Sequence, residues 1–260
     1  MKTQMYQIEF ITNAHIGSGG TNFDIIDNQV QKDSITNLAI IHSSSLKGAL
    51  REHFKESNFV EFIFGSDNKS SDAKQGSCIF FEAFMLTRPV RSNNKVYFNV
   101  TAPFILKMFI DYLKEFKLDY QEVEDFYNKI KDVKEGYIFE NLENTYLEDI
   151  KAEYKNINIP TILGEDVAIL SDKNFKNLAL PVIARNNLEN GKSQNLWYEE
   201  IIPKKSKFIF FIAKPDENEL DEADKEKLTK FLQRIDKDRV VQFGANKTIG
   251  FGFANVKAIK

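Results

Sequence analysis

A polar loop near the start of the chain carries the side chains best suited to acid–base or metal chemistry. The loop runs from His15 to Asp33 and also contains Asp24 and Asp27. A carboxylate beside a bound nucleic-acid backbone can hold a divalent cation or accept a proton from an attacking hydroxyl group. His15 is a candidate general acid or base because the pKa of histidine lies near neutrality. For any one aspartate, taken alone, a role as a turn or cap residue is favoured. A histidine at the end of a strand is more often structural.

A cationic face is predicted on the next element, a helix running from the serines 43–45, which offer N-caps, to about Glu56. Lys47, Arg51 and Lys55 recur at four-residue intervals, which places them on one side of the helix. Gly48 lies between them and costs a helix about 1 kcal/mol, which is easier to explain if a ligand approaches there. The face could bind phosphates, although a solvated amphipathic face explains the same spacing. The apolar stripe beside it consists of Leu46, Leu50 and Phe54.

The second candidate phosphate contact is a glycine-rich segment near the end of the sequence. It contains Gly244, Lys247, Thr248, Gly250 and Gly252, and glycines allow a backbone to approach phosphates closely. The segment precedes an alternating, strand-like run, whereas a Walker A loop opens a helix. A phosphate-binding loop and a merely irregular hairpin both remain open.

The elements that would position these residues form a mixed α and β pattern. Strands are predicted at 5–12, 77–86, 167–170, 180–184, 208–213, 239–243 and 253–259, and a further helix at 219–235. Residues 103–158 are charge-rich and helical in pattern. Strand–helix–strand at the start and helix–strand–strand at the end indicate an α+β, ferredoxin-like split unit with insertions.

Composition narrows the class of protein without identifying it. The 260 residues are 42% hydrophobic and 28% charged, with one cysteine and a net charge of -3. No apolar run could cross a bilayer, and neither a secretory signal nor a disulfide is indicated. We therefore predict a cytoplasmic protein that is not bound to membranes. Neither a zinc-ligand spacing nor a serine-hydrolase motif is present.

Several segments in order resemble the RAMP superfamily, and within it the family of backbone nuclease subunits of type III-B (Cmr) CRISPR effector complexes. Each segment alone is weak evidence, and the ordered set is specific. Where the family more usually has arginine, this chain has Lys32. The matching segments are 15–17, 26–33, 43–51, 89–92, 180–185, 196–200 and the glycine-rich end.

The resemblance implies an α+β fold built as one unit over 1–260. Its RRM-like (ferredoxin-like) core would be 1–100 and 159–260, with a helical lobe inserted at 101–158. A thumb β-hairpin would lie at 184–197, where Asn190 and Gly191 form a typical two-residue turn.

The resemblance also implies a function and a set of residues. The chain would bind crRNA, stack with further copies of itself and other Cmr subunits, and cut target RNA at regular intervals with a divalent cation, Mg²⁺ being the expected ion. Asp27 matches the catalytic aspartate, which would either hold the metal or help to deprotonate the attacking hydroxyl, and Lys47 matches the guide-binding lysine. Asp24 is the alternative carboxylate. The predicted RNA-binding residues are Ser44, Ser45, Lys47, Arg51, Arg91, Arg185, Gly244, Lys247, Thr248 and Gly250.

Three other functions remain open. The chain could be a structural guide-binding subunit without nuclease activity. It could also be a RAMP endonuclease that processes precursor crRNA alone, with His15 as a metal-independent catalyst. A stand-alone RNA-binding protein is the third alternative.

Overall fold

The structure is a computed structural model that describes residues 1–20, 25–66 and 73–259. The chain forms two compact units. Along the sequence, each boundary between them lies inside a strand or within a few residues of one. Unit 1 comprises 1–84, 181–204 and 208–260, and unit 2 comprises 85–180 and 205–207. The fold is α+β, as predicted.

Unit 1 contains most of the residues singled out in the sequence. Its elements are β1 (Lys2–Phe10), β2 (Ile40–Ile41), α1 (Ser43–His53), α2 (Val60–Phe64), β3 (Ile79–Phe80), β10 (Val182–Glu189), β11 (Lys192–Glu200), β12 (Lys207–Lys214), α6 (Glu222–Lys237), β13 (Val240–Gln242) and β14 (Phe253–Ile259). The sheet has the strand order β13–β14–β1–β12, and β3 also pairs with β12. β1 and β14 run antiparallel, with Met5 opposite Ile259 and Phe10 opposite Ala254.

The apolar stripe predicted on α1 is confirmed, because Leu46, Leu50 and Phe54 are all buried. Phe54 makes edge contacts with Phe59 and Phe231, so α1 and α6 share an aromatic core. Such ring pairs add to the free energy of burying the side chains. The buried stripe fixes which side of α1 faces solvent.

Two predicted details of α1 are wrong. The N-cap residue is His42, whose carbonyl oxygen accepts the Leu46 N–H, so the serines lie inside the first turn. The helix also ends at His53, three residues earlier than predicted, and the φ and ψ angles of Phe54 are already non-helical. Lys55 therefore lies beyond the helix.

Unit 2 takes in 85–180 and is broader than the lobe expected at 101–158. Its elements are β4 (Ala83–Arg91, from Met85 onward), β5 (Tyr97–Thr101), α3 (Pro103–Glu115), α4 (Gln121–Ile130), β6 (Gly136–Ile138), β7 (Thr145–Leu147), β8 (Ile150–Tyr154), β9 (Val167–Leu170) and α5 (Asp172–Asn177). The sheet has the order β4–β5–β9–β6–β8–β7. The helical prediction holds only for the first half of 101–158: three short strands follow, and positive φ angles at Asn144 and Glu148 are incompatible with a helix.

A two-stranded hairpin of β10 and β11 occupies the place of the expected thumb. Its turn is Asn190–Gly191, with φ angles of 49° and 77°, as a type I′ turn requires. The hairpin extends beyond 184–197 at both ends and is mostly exposed. Among the helices in the described part of the chain, none combines the length and apolar character needed to cross a membrane.

Candidate nucleic-acid interface and active site

Asp27 is held against the base of the hairpin. The Tyr198 N–H donates to Asp27 Oδ2 at 2.8 Å. On either side of this bond, the Asn28 N–H donates to the Tyr198 carbonyl at 3.1 Å and the Glu200 N–H to the Asn28 carbonyl at 2.9 Å. The loop thus runs beside the end of β11 like a short extra strand. Asp27 remains exposed to solvent while one of its oxygens is fixed.

Gln31 connects the same loop to the start of α1. Its side-chain amide donates to the Gly17 carbonyl at 3.2 Å and to Ser45 Oγ at 2.9 Å. Its amide oxygen accepts the His42 N–H at 2.8 Å. Gln31 is only 8% exposed, and all three bonds are partly buried. The acidic loop and the predicted phosphate-binding helix are therefore fixed relative to each other.

His15 is buried beneath the loop. Its Nδ1 lies 2.8 Å from the Glu200 carbonyl oxygen, which can only accept, so Nδ1 carries the proton. Its Nε2 would lie 3.0 Å from a Cβ added at Gly17. A small cleft of about 250 Å³ lies beside it and is also lined by Ser18, Asn28 and Gln29. With an exposed fraction of 6%, His15 is placed to support the loop.

Two adjacent buried glutamates organise the end of β11. Glu200 accepts from the Val30 N–H at 3.2 Å and from Lys32 Nζ at 2.8 Å. Lys32, which stands where the family more usually has arginine, thus makes an ion pair inside unit 1. Glu199 accepts both Nε and Nη2 of Arg185 at 2.9 Å. Both carboxylates are charge-paired, as buried charges must be.

Arg185 was predicted to bind RNA, and the structure directs two of its donor nitrogens to Glu199. The cross-strand register puts Arg185 opposite Trp197, so Glu199 is its diagonal neighbour on the same face. The guanidinium also lies 4.6 Å from the centre of the Phe251 ring. Its side chain is 17% exposed, and its positive charge is largely neutralised by the ion pair with Glu199.

The glycine-rich segment packs against the residues around His15. Gly244 has a φ of +79°, and a Cβ there would lie 2.2 Å from the His15 carbonyl oxygen. That oxygen accepts the Ala245 N–H at 2.9 Å. Beyond this contact the chain forms a 3-10 turn at Lys247–Ile249. Lys247, Thr248 and Gly250 are all exposed.

Lys247 lies near α1. The pKa of Glu52 on that helix is below its usual value, mainly because Lys55 donates a hydrogen bond to it and adds its positive charge. Lys247 contributes to the same effect through its charge. The two predicted phosphate-binding elements thus lie on the same part of unit 1.

On α1 itself, only part of the predicted cationic line faces solvent. Ser44 and Gly48 are exposed and Lys47 is half-buried. Nothing lies within 4 Å of a Cβ added at Gly48, so the surface there is open. Arg51 donates to the Ser66 carbonyl at 3.3 Å, and Lys55 is paired with Glu52. Spacing predicted the side of the helix but not these side-chain partners.

The candidates not yet placed are Arg91, Asp24 and Asp33. Arg91 belongs to unit 2, where it forms an ion pair with Glu148 at 3.0 Å. Asp24 lies outside the residues that the structure describes. Asp33 Oδ1 accepts from the N–H and the hydroxyl of Thr36, both at 2.7 Å. The Thr36 hydroxyl is the main reason that the pKa of Asp33 is below its usual value, and Asp33 is a turn residue.

No ready-made metal cage is found in the described ranges, where no three His, Cys, Asp or Glu side chains cluster suitably. Glu199 and Glu200 are already charge-paired, which leaves Asp27 as the accessible carboxylate of this cluster. Mg²⁺ is commonly bound by one or two carboxylates together with phosphate oxygens and water. The site therefore fits an ion that is shared with a bound phosphodiester.

Sequence reasoning missed the residues that hold this site together. Gln31, Glu199, Glu200 and Asn246 make its central hydrogen bonds. The available signal was that all four lie in segments that carried the resemblance, namely 26–33, 196–200 and the glycine-rich end, without a role of their own. Alternation along a strand predicts that only one of two adjacent glutamates is buried, yet both are.

Comparison with models of protein families assigns the chain to a superfamily. The model of the RAMP superfamily matches residues 7–255. The chain therefore belongs to the RAMP superfamily, and the resemblance read from the sequence is confirmed.

Individual relatives share nearly the whole length of the chain. It is 28% identical to the CRISPR system Cmr endoribonuclease Cmr4 of Pyrococcus furiosus, over 98% of this chain and 95% of that protein. An oligomeric Cmr4 from the same organism has a TM-score of 0.75 at 23% identity, covering 100% of this chain and 98% of the other. A chain of the type III-B Cmr-beta complex bound to cognate target RNA has a TM-score of 0.80 at 22% identity, covering 99% and 97%. The structural matches establish a shared fold.

Proposed function

We propose that this chain is a crRNA-binding backbone subunit of a type III-B CRISPR effector and that it cuts the target RNA paired to the guide. The curated relative is named an endoribonuclease and aligns from end to end. A similar chain comes from a complex bound to target RNA, and another from an oligomeric assembly. Guide RNA, target RNA, other Cmr subunits and further copies of the chain are the partners in this proposal, and the cytoplasm is its location.

The proposed guide surface consists of the exposed side of α1 and the glycine-rich turn. Backbone N–H groups near Ser44 and Ser45, the charge of Lys47, and the open surface at Gly48 would receive successive phosphates. Lys47 and Lys247 supply the positive charge. Arg51 contributes from the side, and Gly244, Thr248 and Gly250 let the turn lie close to the RNA.

The single observation that carries the catalytic proposal is the placement of Asp27. It is exposed, and the Tyr198 N–H at the base of the hairpin fixes one of its oxygens. In the proposed reaction the 2′-oxygen of the target attacks the adjacent phosphorus and the bond to the 5′-oxygen breaks. The products are a 2′,3′-cyclic phosphate and a 5′-hydroxyl; Asp27 receives the 2′-hydroxyl proton, and water protonates the leaving oxygen.

A divalent cation, Mg²⁺ in this proposal, would be held by Asp27 and phosphate oxygens and would stabilise charge on the phosphate. The hairpin would act as the thumb that displaces a target base next to Asp27. Leu188 and Leu196 on it are 62% and 53% exposed, so apolar side chains are available to contact bases. In-line attack needs a backbone geometry that a continuous A-form helix does not provide.

The test uses the assembled complex and two matched variants. Asp27→Asn keeps an acceptor for the Tyr198 N–H and removes the charge. We expect target binding to persist and cutting of end-labelled target RNA, read on a denaturing gel, to fall by about 100-fold or more. Asp33→Asn is the control, because Asp33 serves a turn. Wild-type cutting by Asp27→Asn would refute the assignment to Asp27 and leave Asp24 or another subunit as the source of the cutting, whereas a wild-type complex that binds target without cutting it would favour a purely structural guide-binding subunit.

A second test separates the proposal from precursor crRNA processing by His15. Burial of His15 and the use of its Nδ1–H in a backbone contact weigh against that role. We expect a chelator to stop target cutting by the complex, and the isolated chain to leave repeat RNA intact in chelator. Chelator-resistant cutting of repeat RNA that His15→Ala abolishes would support the alternative.

A further inference from the structure

Glu199 joins three elements of unit 1 through one buried carboxylate. It lies on β11 and is 4% exposed. Arg185 on β10 donates to both of its oxygens, and Asn246 Nδ2 of the glycine-rich segment donates to Oε1 at 2.9 Å. A buried carboxylate depends on such donors, because each lost donor leaves charge that water does not replace.

The backbone around Glu199 holds Asp27. Asn28 and Glu199 form a parallel bridge, and the preceding residue, Tyr198, donates its N–H to the Asp27 carboxylate. A shift of β11 at Glu199 would therefore move the donor that fixes Asp27. This connection passes through two adjacent residues of one strand.

Asn246 also defines the shape of the glycine-rich turn. Its φ of 64° is left-handed, and its carbonyl oxygen accepts the N–H groups of Ile249 and Phe251, both at 3.2 Å. Lys247 and Thr248 follow it directly. A phosphate bound by this turn would consequently restrict Asn246, whose side chain holds Glu199.

We propose that Asn246 and Arg185, acting through Glu199, are positioning residues that couple the seating of guide RNA on the glycine-rich turn to the placement of Asp27. The inference rests on the proposed function, because it assumes that the turn binds guide RNA and that Asp27 cuts the target. Neither residue needs to touch the reacting atoms.

The experiment compares Asn246→Gly, Glu199→Ala and the double variant in the assembled complex. Glycine accepts the left-handed φ, so Asn246→Gly removes the amide without backbone strain. We expect the single-turnover cutting rate at saturating target to fall about tenfold, which is what loss of one hydrogen bond to a charged group gives. Guide and target affinities should stay within about twofold, because the phosphate contacts of Lys47 and Lys247 are intact.

The double variant distinguishes coupling from general damage. If Asn246 acts through Glu199, Asn246→Gly should add little to the loss caused by Glu199→Ala, which removes the acceptor of the Asn246 amide, whereas independent effects would multiply. Asn255→Ala, an exposed asparagine on β14, is the control and should cut at the wild-type rate. The inference would be overturned if the rate losses of the two single variants multiplied in the double variant. It would also be overturned if the loss of guide binding fully accounted for the loss of cutting rate.

Asp27→Asn measured in parallel separates the two proposals. Wild-type cutting by Asp27→Asn means that the catalytic part of the proposed function fails, whatever Asn246→Gly does, and the inference falls with it. If Asp27→Asn does not cut and Asn246→Gly cuts at the wild-type rate, the proposed coupling is wrong while the catalytic role of Asp27 stands.

Discussion

At the scale of single residues, the site depends on positions where only one side chain fits. Gly244 shows this most clearly: its left-handed φ brings the chain against the His15 carbonyl, where the gap to a Cβ would be 2.2 Å. Backbone atoms on both sides cannot move away cheaply. The close approach of the glycine-rich segment to the acidic loop thus requires glycine.

Gly244→Ala should lower the free energy of unfolding by more than about 2 kcal/mol, from backbone strain plus the clash. Urea denaturation measures the change. Gly250→Ala is the matched control: its φ is +82°, but nothing lies within 4 Å of the added Cβ. Its loss should be only about 1 kcal/mol, and equal losses in the two variants would mean that the close approach is not present in solution.

At the scale of elements, α1 combines a packed side with an open one. Leu46, Leu50 and Phe54 are buried, while Gly48 is exposed beside Lys47. An exposed glycine weakens the helix and makes no packing contact that would explain it. The proposed guide surface explains Gly48, because phosphates could approach the backbone closely where no side chain is present.

Gly48→Ala should therefore separate stability from binding. We expect unfolding to require up to about 1 kcal/mol more free energy, because alanine is the better helix former. The affinity of the assembled protein for guide RNA should fall, measured by competition with wild-type chain. Thr229→Ala on α6 is an exposed helix-stabilising control that should leave guide affinity unchanged. Unchanged affinity in Gly48→Ala would place the phosphates elsewhere.

At the scale of the whole molecule, the charge balance makes RNA binding a local property. The chain has a net charge of -3, and ion pairs such as Arg185–Glu199, Lys32–Glu200 and Arg91–Glu148 neutralise several of its cations. A general basic coat is thus absent, and affinity for the guide must come from a few positions. Lys47 and Lys247 are the main ones in the proposed surface.

Removal of one phosphate-contacting lysine should change the salt dependence by a defined amount. For Lys47→Gln we expect the slope of log affinity for guide RNA against log salt concentration to decrease in magnitude by about 0.7. Lys257→Gln, on an exposed position of β14, is the control and should leave the slope unchanged. An unaltered slope in Lys47→Gln would show that Lys47 makes no phosphate contact.

The sequence by itself determined the features that depend on neighbouring residues. The spacing of Leu46, Leu50 and Phe54 predicted the buried side of α1, and Asn190–Gly191 matches the hairpin turn. These patterns arise from the helical and strand periods, which are local. The ordered segments also identified the family, and they pointed to Asp27 among three loop aspartates.

Only the tertiary structure decided which charges face solvent and which are paired inside. The sequence predicted the same RNA-binding role for Arg185, Arg51 and Lys47. In the structure, Arg185 pairs with Glu199 and Arg51 donates to the Ser66 carbonyl. The bond between Tyr198 and Asp27 spans 171 residues of sequence, and that between Asn246 and Glu199 spans 47. Such partners are set by strand order and loop packing, because hydrogen bonds and ion pairs act over a few ångströms in space, whatever the separation along the chain.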